Sequence, residues 1–387
     1  MVSVFELLLI ACYGLPVSMQ LDVLEQTFKK NFAERGELGA SVSVWKDGEE
    51  ILNLAQGWCE REQVKPWVAE TMVPFYSATK ALASATLLML LDENGLTPED
   101  LVCRVWPNFP NSSATFAELM SHQCGLAALD QKASVFEYDA VIAAIEAQEP
   151  NWELGDGHGY HPRTFGFLLE EPVRVLSGRP LGEVFHERIA ELLELDLWIG
   201  LPESEFDRVA TLYPGKMEKS DLESGFYKEF NQQGTLVRQA FSSPSGLQGV
   251  HEMNKPKAWQ SGLPAMGGVG TASSLAKFYQ AAIGAIPFFS EDVLGWMKTP
   301  VVTGDDRILM TPTRFSCGFQ LDPLDADGAK VRQNYGKGMQ AFGHPGAGGS
   351  HAFGDPETGV SFAYIMNQMD LSVLPGAKSS SLIEALR

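Results

Sequence analysis

Long apolar runs, basic clusters and paired cysteines are all scarce in this 387-residue chain, and each scarcity removes a class of protein. No stretch has the length and uniform apolarity that a bilayer-spanning helix requires. Lysine and arginine number 29 against 49 aspartates and glutamates, for a formal net charge of −20. With no basic patch to offset it, that balance argues against nucleic acid as a partner. The five cysteines (Cys12, Cys59, Cys103, Cys124, Cys317) are odd in number, widely spaced and without a C-x-x-C pair. They suit reduced thiols in a cytoplasmic protein rather than a disulfide framework. No cofactor or metal is expected. The chain also lacks the G-x-S-x-G of a nucleophile elbow, a phosphate-binding P-loop and a dinucleotide fingerprint.

The amino end, MVSVFELLLIACYGLPV, bears on location. LIAC, ending at Cys12, resembles a lipoprotein cleavage site, yet no Lys or Arg precedes the apolar run and Glu6 interrupts it. Those departures favour an N-terminal helix or strand over export.

What is present is an ordinary globular composition, 45% hydrophobic and 20% charged, long enough for one large domain or two. Leu21, Leu24, Phe28 and Phe32 are spaced for a helix ending near Gly36. Residues 40–57, ASVSVWKDGEEILNLAQG, read as a hairpin turning at KDGE. Helical patterns dominate from Ser77 to about Trp198, and TPED (97–100) carries the signals of a further helix start. Residues 199–260 are irregular and polar. A helix is expected within 270–286, strands at 316–321, 348–355 and 359–369, and a last helix at SSLIEAL. The fold class is therefore α+β: an antiparallel sheet built from the N- and C-terminal segments (1–75 and 256–387), flanked by helices. A mainly helical second lobe (76–255) completes it, with a site expected in the cleft between the lobes.

Three stretches carry chemistry. SATKALASATLLMLL (77–91) is a helix apolar on nearly every face, hence buried, with a single lysine three residues after a serine. One reading is that Lys80 snorkels from the first turn and Ser77 merely caps the helix. The other is that the i, i+3 spacing brings the amine to the Ser77 hydroxyl, with burial and the helix N-terminus lowering its pKa toward a useful base. The second stretch is GDGHGYHPRTFGFLLEE. Its Tyr160 is either a packing residue or, with a lowered pKa, a proton shuttle, and His158 and His161 read as loop or substrate-facing residues. The third, FGHPGAGGSHAFGD (342–355), is either a plain glycine-rich hairpin or a place where exposed N–H groups hold an oxyanion.

Taken together and in this order, these stretches resemble the serine β-lactamase and penicillin-binding-protein superfamily, specifically its class C-like branch, the family VIII carboxylesterases. The resemblance spans roughly residues 20–370. SATK stands at the Ser-x-x-Lys motif, YHPRTFGFLLEEPVRVLSGRPLGE at the Tyr motif, and GHPGAGGSHAFGD where relatives carry Lys-Thr-Gly or a variant. LMSHQCGL (119–126) and LPAMGGVGTASSLAKFYQ (263–280) are weaker echoes. The resemblance implies Ser77 as nucleophile, with Lys80 and Tyr160 sharing base and acid duties. It implies an oxyanion hole from the backbone N–H groups of Ser77 and Ala347, and His344 and Gly346 at the substrate.

Departures bear on substrate. His344 and Pro345 replace the Lys and Thr of Lys-Thr-Gly, and Pro162 stands where β-lactamases carry the Asn of Tyr-x-Asn. The implied activity is hydrolysis of small, short-chain carboxylic esters. The alternatives are a β-lactamase, D-aminopeptidase or acyltransferase on the same machinery, or a non-catalytic penicillin-binding-like protein.

Overall fold

Alternating small and β-branched residues form β1 (Gly39–Lys46), which turns back into β2 (Glu49–Gly57) as the hairpin pattern predicts. Asp47 and Gly48 both have positive φ, 50° and 89°, the combination that matches a two-residue turn to strand twist. The computed structural model of the chain describes residues 17–216 and 225–386. The segment through Cys12, with its expected helix or strand, lies outside the described residues.

After β2 the chain leaves this sheet. Short strands β3 (Val73–Pro74), β4 (Leu197–Ile199) and β5 (Gly268–Gly270) form a small antiparallel sheet in the order β3-β5-β4, which the sequence reading does not anticipate. The remaining strands are β6 (Val302–Asp305), β7 (Pro312–Phe315), β8 (Gln320–Leu321), β9 (Phe342–Pro345), β10 (His351–Asp355) and β11 (Val360–Met366). With the first hairpin they make an eight-stranded antiparallel sheet, β2-β1-β11-β10-β9-β8-β7-β6. The N- and C-terminal segments thus meet at its β1–β11 pair, where Val42 faces Tyr364.

Strand parity assigns the two faces of this sheet. Trp45 pairs with Ser361, and on that face Gln280 of the helix Ala272–Ala282 donates to the Ser361 hydroxyl at 2.9 Å. Tyr364 lies on the opposite face, where its hydroxyl meets Glu37 and Lys378 pairs with Glu37 at 3.3 Å. Lys378 belongs to the terminal helix Ala377–Ala385, which packs against the first helix, Val17–Glu34. Covered on both sides, β1 is buried from Gly39 to Val44.

Two local expectations are corrected. TPED makes a single turn and no helix: the Asp100 carboxylate accepts the Thr97 N–H at 2.8 Å, but Leu101 is extended and bridges Thr115, which ends the turn there. Residues 316–319 are a tight connection rather than strand. Gly318 (φ 82°) lies so close to Ser84 that an added β-carbon would be 1.9 Å from its hydroxyl oxygen.

Candidate active site

The predicted core helix runs Thr79–Glu93, with twelve of its fifteen residues buried, and Gly95 follows with φ 66°. Ser77 does not cap it. The cap position is Ala78, no side chain bonds the free N–H groups, and Ser77 sits half-buried in the preceding turn. The small sheet places that turn. Phe75 N–H bonds the Gly268 carbonyl at 3.0 Å, Tyr76 reverses the chain at φ 48°, and Thr79 Oγ1 accepts the Gly268 N–H at 2.8 Å.

Lys80 is wholly buried, and its Nζ lies 3.1 Å from Ser77 Oγ. The same nitrogen donates to the carbonyl oxygens of Pro162 and Ala265, each at 2.9 Å. Those two acceptors fix two of its N–H bonds and leave the remaining tetrahedral position aimed at the serine. In the neutral amine that position is the lone pair. Burial, followed by the nearby Arg163 guanidinium, holds the Lys80 pKa well below the ordinary lysine range. No carboxylate pairs with it among the described residues.

Tyr160 comes to the same place from the loop before the helix Thr164–Ser177. Its ring centroid is 4.9 Å from Lys80 Nζ, and its hydroxyl interacts with that of Ser77. Burial raises the phenol pKa, against the expected lowering, and the Ser77 interaction offsets only part of this. Tyr160 is therefore a phenol at neutral pH in the free enzyme.

The neighbouring histidines are buried, not substrate-facing. His161 Nε2 accepts the Leu126 N–H at 2.9 Å while Nδ1 donates to the Gly159 carbonyl at 2.7 Å, which fixes a neutral tautomer. His158 Nε2 is 2.6 Å from Thr313 Oγ1. His122, from the LMSHQCGL echo, packs its ring 5.0 Å from that of Tyr160 and accepts the His161 N–H. Burial drives His161 down to about 3, and His122 well below the ordinary histidine value.

β9 delivers the third stretch. His344 is 1% exposed, its ring 5.9 Å from that of Tyr160, with Nδ1 donating to the Pro345 carbonyl at 2.8 Å. Burial lowers its pKa to about 3, so the imidazole is uncharged. Gly346 follows, with its backbone against the Phe75 carbonyl, and Gly346 N–H bonds the Ser350 carbonyl at 2.6 Å. The Ala347 N–H makes no hydrogen bond among the described residues. On β10, His351 is also fully buried, neither ring nitrogen has a partner among those residues, and its pKa falls to about 3.

The two carbonyl acceptors of Lys80 escape sequence reasoning. Pro162 lacks the asparagine amide of its β-lactamase counterparts, yet its backbone oxygen makes the lysine contact. Ala265 belongs to the LPAMGGVG echo, which marked the segment without indicating why it matters.

The fold and the motif order define a beta-lactamase-like serine hydrolase architecture, and the family model described as Beta-lactamase matches residues 24–379. The chain belongs to that family. It is 29% identical over 358 residues to the esterase/beta-lactamase LipL of Mycobacterium tuberculosis, covering 89% of this chain and 80% of that one. Among solved structures it is similar to a penicillin-binding protein homolog from Caulobacter crescentus (32% identity, TM-score 0.84, 95% and 96% of the two chains). A family VIII carboxylesterase is comparably similar (29% identity, TM-score 0.82, 95% and 96%).

Proposed function

We propose that this protein hydrolyses short-chain carboxylic esters through an acyl-enzyme on Ser77. The observation that carries the reading is the buried Lys80 amine, held by two carbonyls with its remaining position on Ser77 Oγ at 3.1 Å. As a neutral amine Lys80 takes the Ser77 proton while Oγ attacks the ester carbonyl. The tetrahedral oxyanion forms against the backbone N–H groups of Ser77 and Ala347. Tyr160, protonated in the resting state, gives its proton to the departing alkoxide and takes up the one Lys80 received from Ser77, which restores the neutral amine and the phenol. Water then repeats the sequence to release the acid, so one difficult acyl transfer becomes two easier ones. In this reading the substrate enters between residues 76–255 and the sheet-bearing remainder, with His344 and Gly346 bordering it.

Small neutral esters fit this site better than β-lactams. The position of the β-lactamase Lys holds an uncharged, buried His344, and that of the Thr hydroxyl holds Pro345, so no cation is offered to a lactam carboxylate there. The esterase and carboxylesterase names of the relatives support the same direction.

The test is a series of p-nitrophenyl esters of graded chain length beside nitrocefin. The expected result is a burst of p-nitrophenol with acetate or butyrate and weak or absent nitrocefin turnover, both removed by about 10⁴-fold or more in Ser77→Ala. Near-normal turnover by Ser77→Ala would show the nucleophile misassigned. A nitrocefin kcat/KM equal to that of the best ester would overturn the substrate class.

A further inference from the structure

Tyr160 reaches Ser77 from a loop with no helix or strand of its own, so something else must fix its backbone to ångström precision. Asp306, in the connection between β6 and β7, is 2% exposed and accepts the Tyr160 N–H with both carboxylate oxygens, at 3.0 and 3.1 Å. Its Oδ1 also takes the N–H groups of Ile308 and Leu309, each at 2.8 Å. Oδ2 accepts the Thr313 hydroxyl at 3.3 Å and lies 3.9 Å from His158 Nε2. Among the described residues no lysine or arginine forms an ion pair with it. The same hairpin reaches the aromatic ring as well: Phe315, on β7, stacks on Tyr160 with centroids 6.3 Å apart and planes 10° from parallel.

Desolvation opposes burying a carboxylate without a cation, and the hydrogen bonds of Asp306 offset that cost. Here the bonded groups come from two separate parts of the chain, the Tyr160 loop and the β6–β7 hairpin. We propose that Asp306 is a positioning residue of the hydrolytic site, joining the hairpin to the Tyr160 backbone so that the phenol stays on Ser77. The inference rests on the reading of Tyr160 as the proton relay. Asp306 touches neither substrate nor Ser77, and its effect passes through Tyr160. A displacement of about 1 Å at such a group is enough to slow the chemistry on the order of 100-fold.

The test is a set of variants assayed on p-nitrophenyl butyrate, with folding checked by circular dichroism. Asp306→Ala should lower kcat about 10- to 100-fold with KM nearly unchanged. Asp306→Asn keeps an acceptor at Oδ1 for the three backbone N–H groups and should stay within about threefold of wild type. In a Tyr160→Phe background, Asp306→Ala should add less than about twofold, because residues acting through one group are not additive. An additive loss in that background, or wild-type kcat in a folded Asp306→Ala protein, would overturn the proposal. If Asp306→Ala does not fold, Asp306→Asn decides: a loss as deep as that of Tyr160→Phe would show that charge, not anchoring, is what matters. Wild-type activity in Tyr160→Phe alone would instead remove Tyr160 from the machinery, and Asp306 with it.

Discussion

Gly346 rests on the backbone of Phe75: a β-carbon added at Gly346 would lie 2.1 Å from the Phe75 carbonyl oxygen. Real β-carbons essentially never approach an oxygen that closely, so the two segments sit at a distance only glycine allows. Gly346→Ala must therefore push the 345–350 loop away from the turn that carries Ser77. The expected result is a kcat loss of about 10²- to 10³-fold, the size of one lost oxyanion donor, with KM far less affected. Wild-type kcat in Gly346→Ala would place the oxyanion donors elsewhere.

Lys80→Met should abolish the burst while the circular dichroism spectrum stays native. In the wild type, kcat/KM should rise with pH along a limb whose midpoint lies below the ordinary lysine value, because burial disfavours the ammonium. Stability supplies a second readout. Between the depressed folded-state value and the ordinary lysine value of about 10.4, the unfolded chain binds more protons than the folded one, so wild-type stability relative to Lys80→Met should rise with pH. A burst of normal amplitude from Lys80→Met would reduce the lysine to a packing role.

Tyr160→Phe should be comparably damaging, and adding Lys80→Met to it should cost little more if both handle one proton, as proposed. Raised by burial, the Tyr160 pKa places no tyrosinate in the resting enzyme at neutral pH. On the proposed roles, the acidic limb of the rate profile is expected to come from Lys80. If that limb persists unchanged in an active Lys80→Met protein, the lysine is not its source.

Acid should unfold this protein steeply. His161, His344 and His351 are buried and neutral, each with its pKa driven down to about 3 by loss of solvent. In the unfolded chain they protonate near 6.5, so stability is fully present above that value and is lost as pH falls toward 3. Each contributes a slope of up to about 1.4 kcal/mol per pH unit, and three together roughly 4 at most. Glu37, raised to about 7 by burial, adds a slope of the opposite sign below that value, so the histidine contribution is read from the difference in urea midpoints between wild type and a histidine variant at pH 7.5, 6.5 and 5.5. His351→Phe, which removes two ring nitrogens without partners among the described residues, should flatten the slope. Equal slopes in wild type and variant would count against a buried neutral His351.

The parts of the site that were legible in advance are those whose chemistry needs a particular side chain. A lone lysine in an apolar helix, a tyrosine before a helix and a glycine-rich loop are visible as residue types, and their order adds to each. The sheet was legible in outline because β1, β2, β10 and β11 alternate over several residues. β8 and the small central sheet are two or three residues long, too short for any period to register. The acceptors of Lys80 are main-chain carbonyls, which every residue possesses and no letter announces. Asp306 lies in GDDRIL, where an acidic pair reads as a solvated turn, and only the fold brings its carboxylate to Tyr160. The direction of the phenol's pKa is hidden from the sequence for a related reason, since its dominant cause is burial and burial of a loop tyrosine is set by distant strands.

The pairing of β1 with β11 has a consequence for how the protein is made. Roughly 300 residues separate the end of β2 from the start of β11. At about 5–20 residues per second, the ribosome takes roughly 15–60 s to cover that distance. Throughout that interval the first hairpin has emerged, and the Val42 edge that will face Tyr364 has no native partner. An unpaired apolar strand edge is a template for other chains, so the nascent protein passes through a window of aggregation risk that ends only when the last strand arrives.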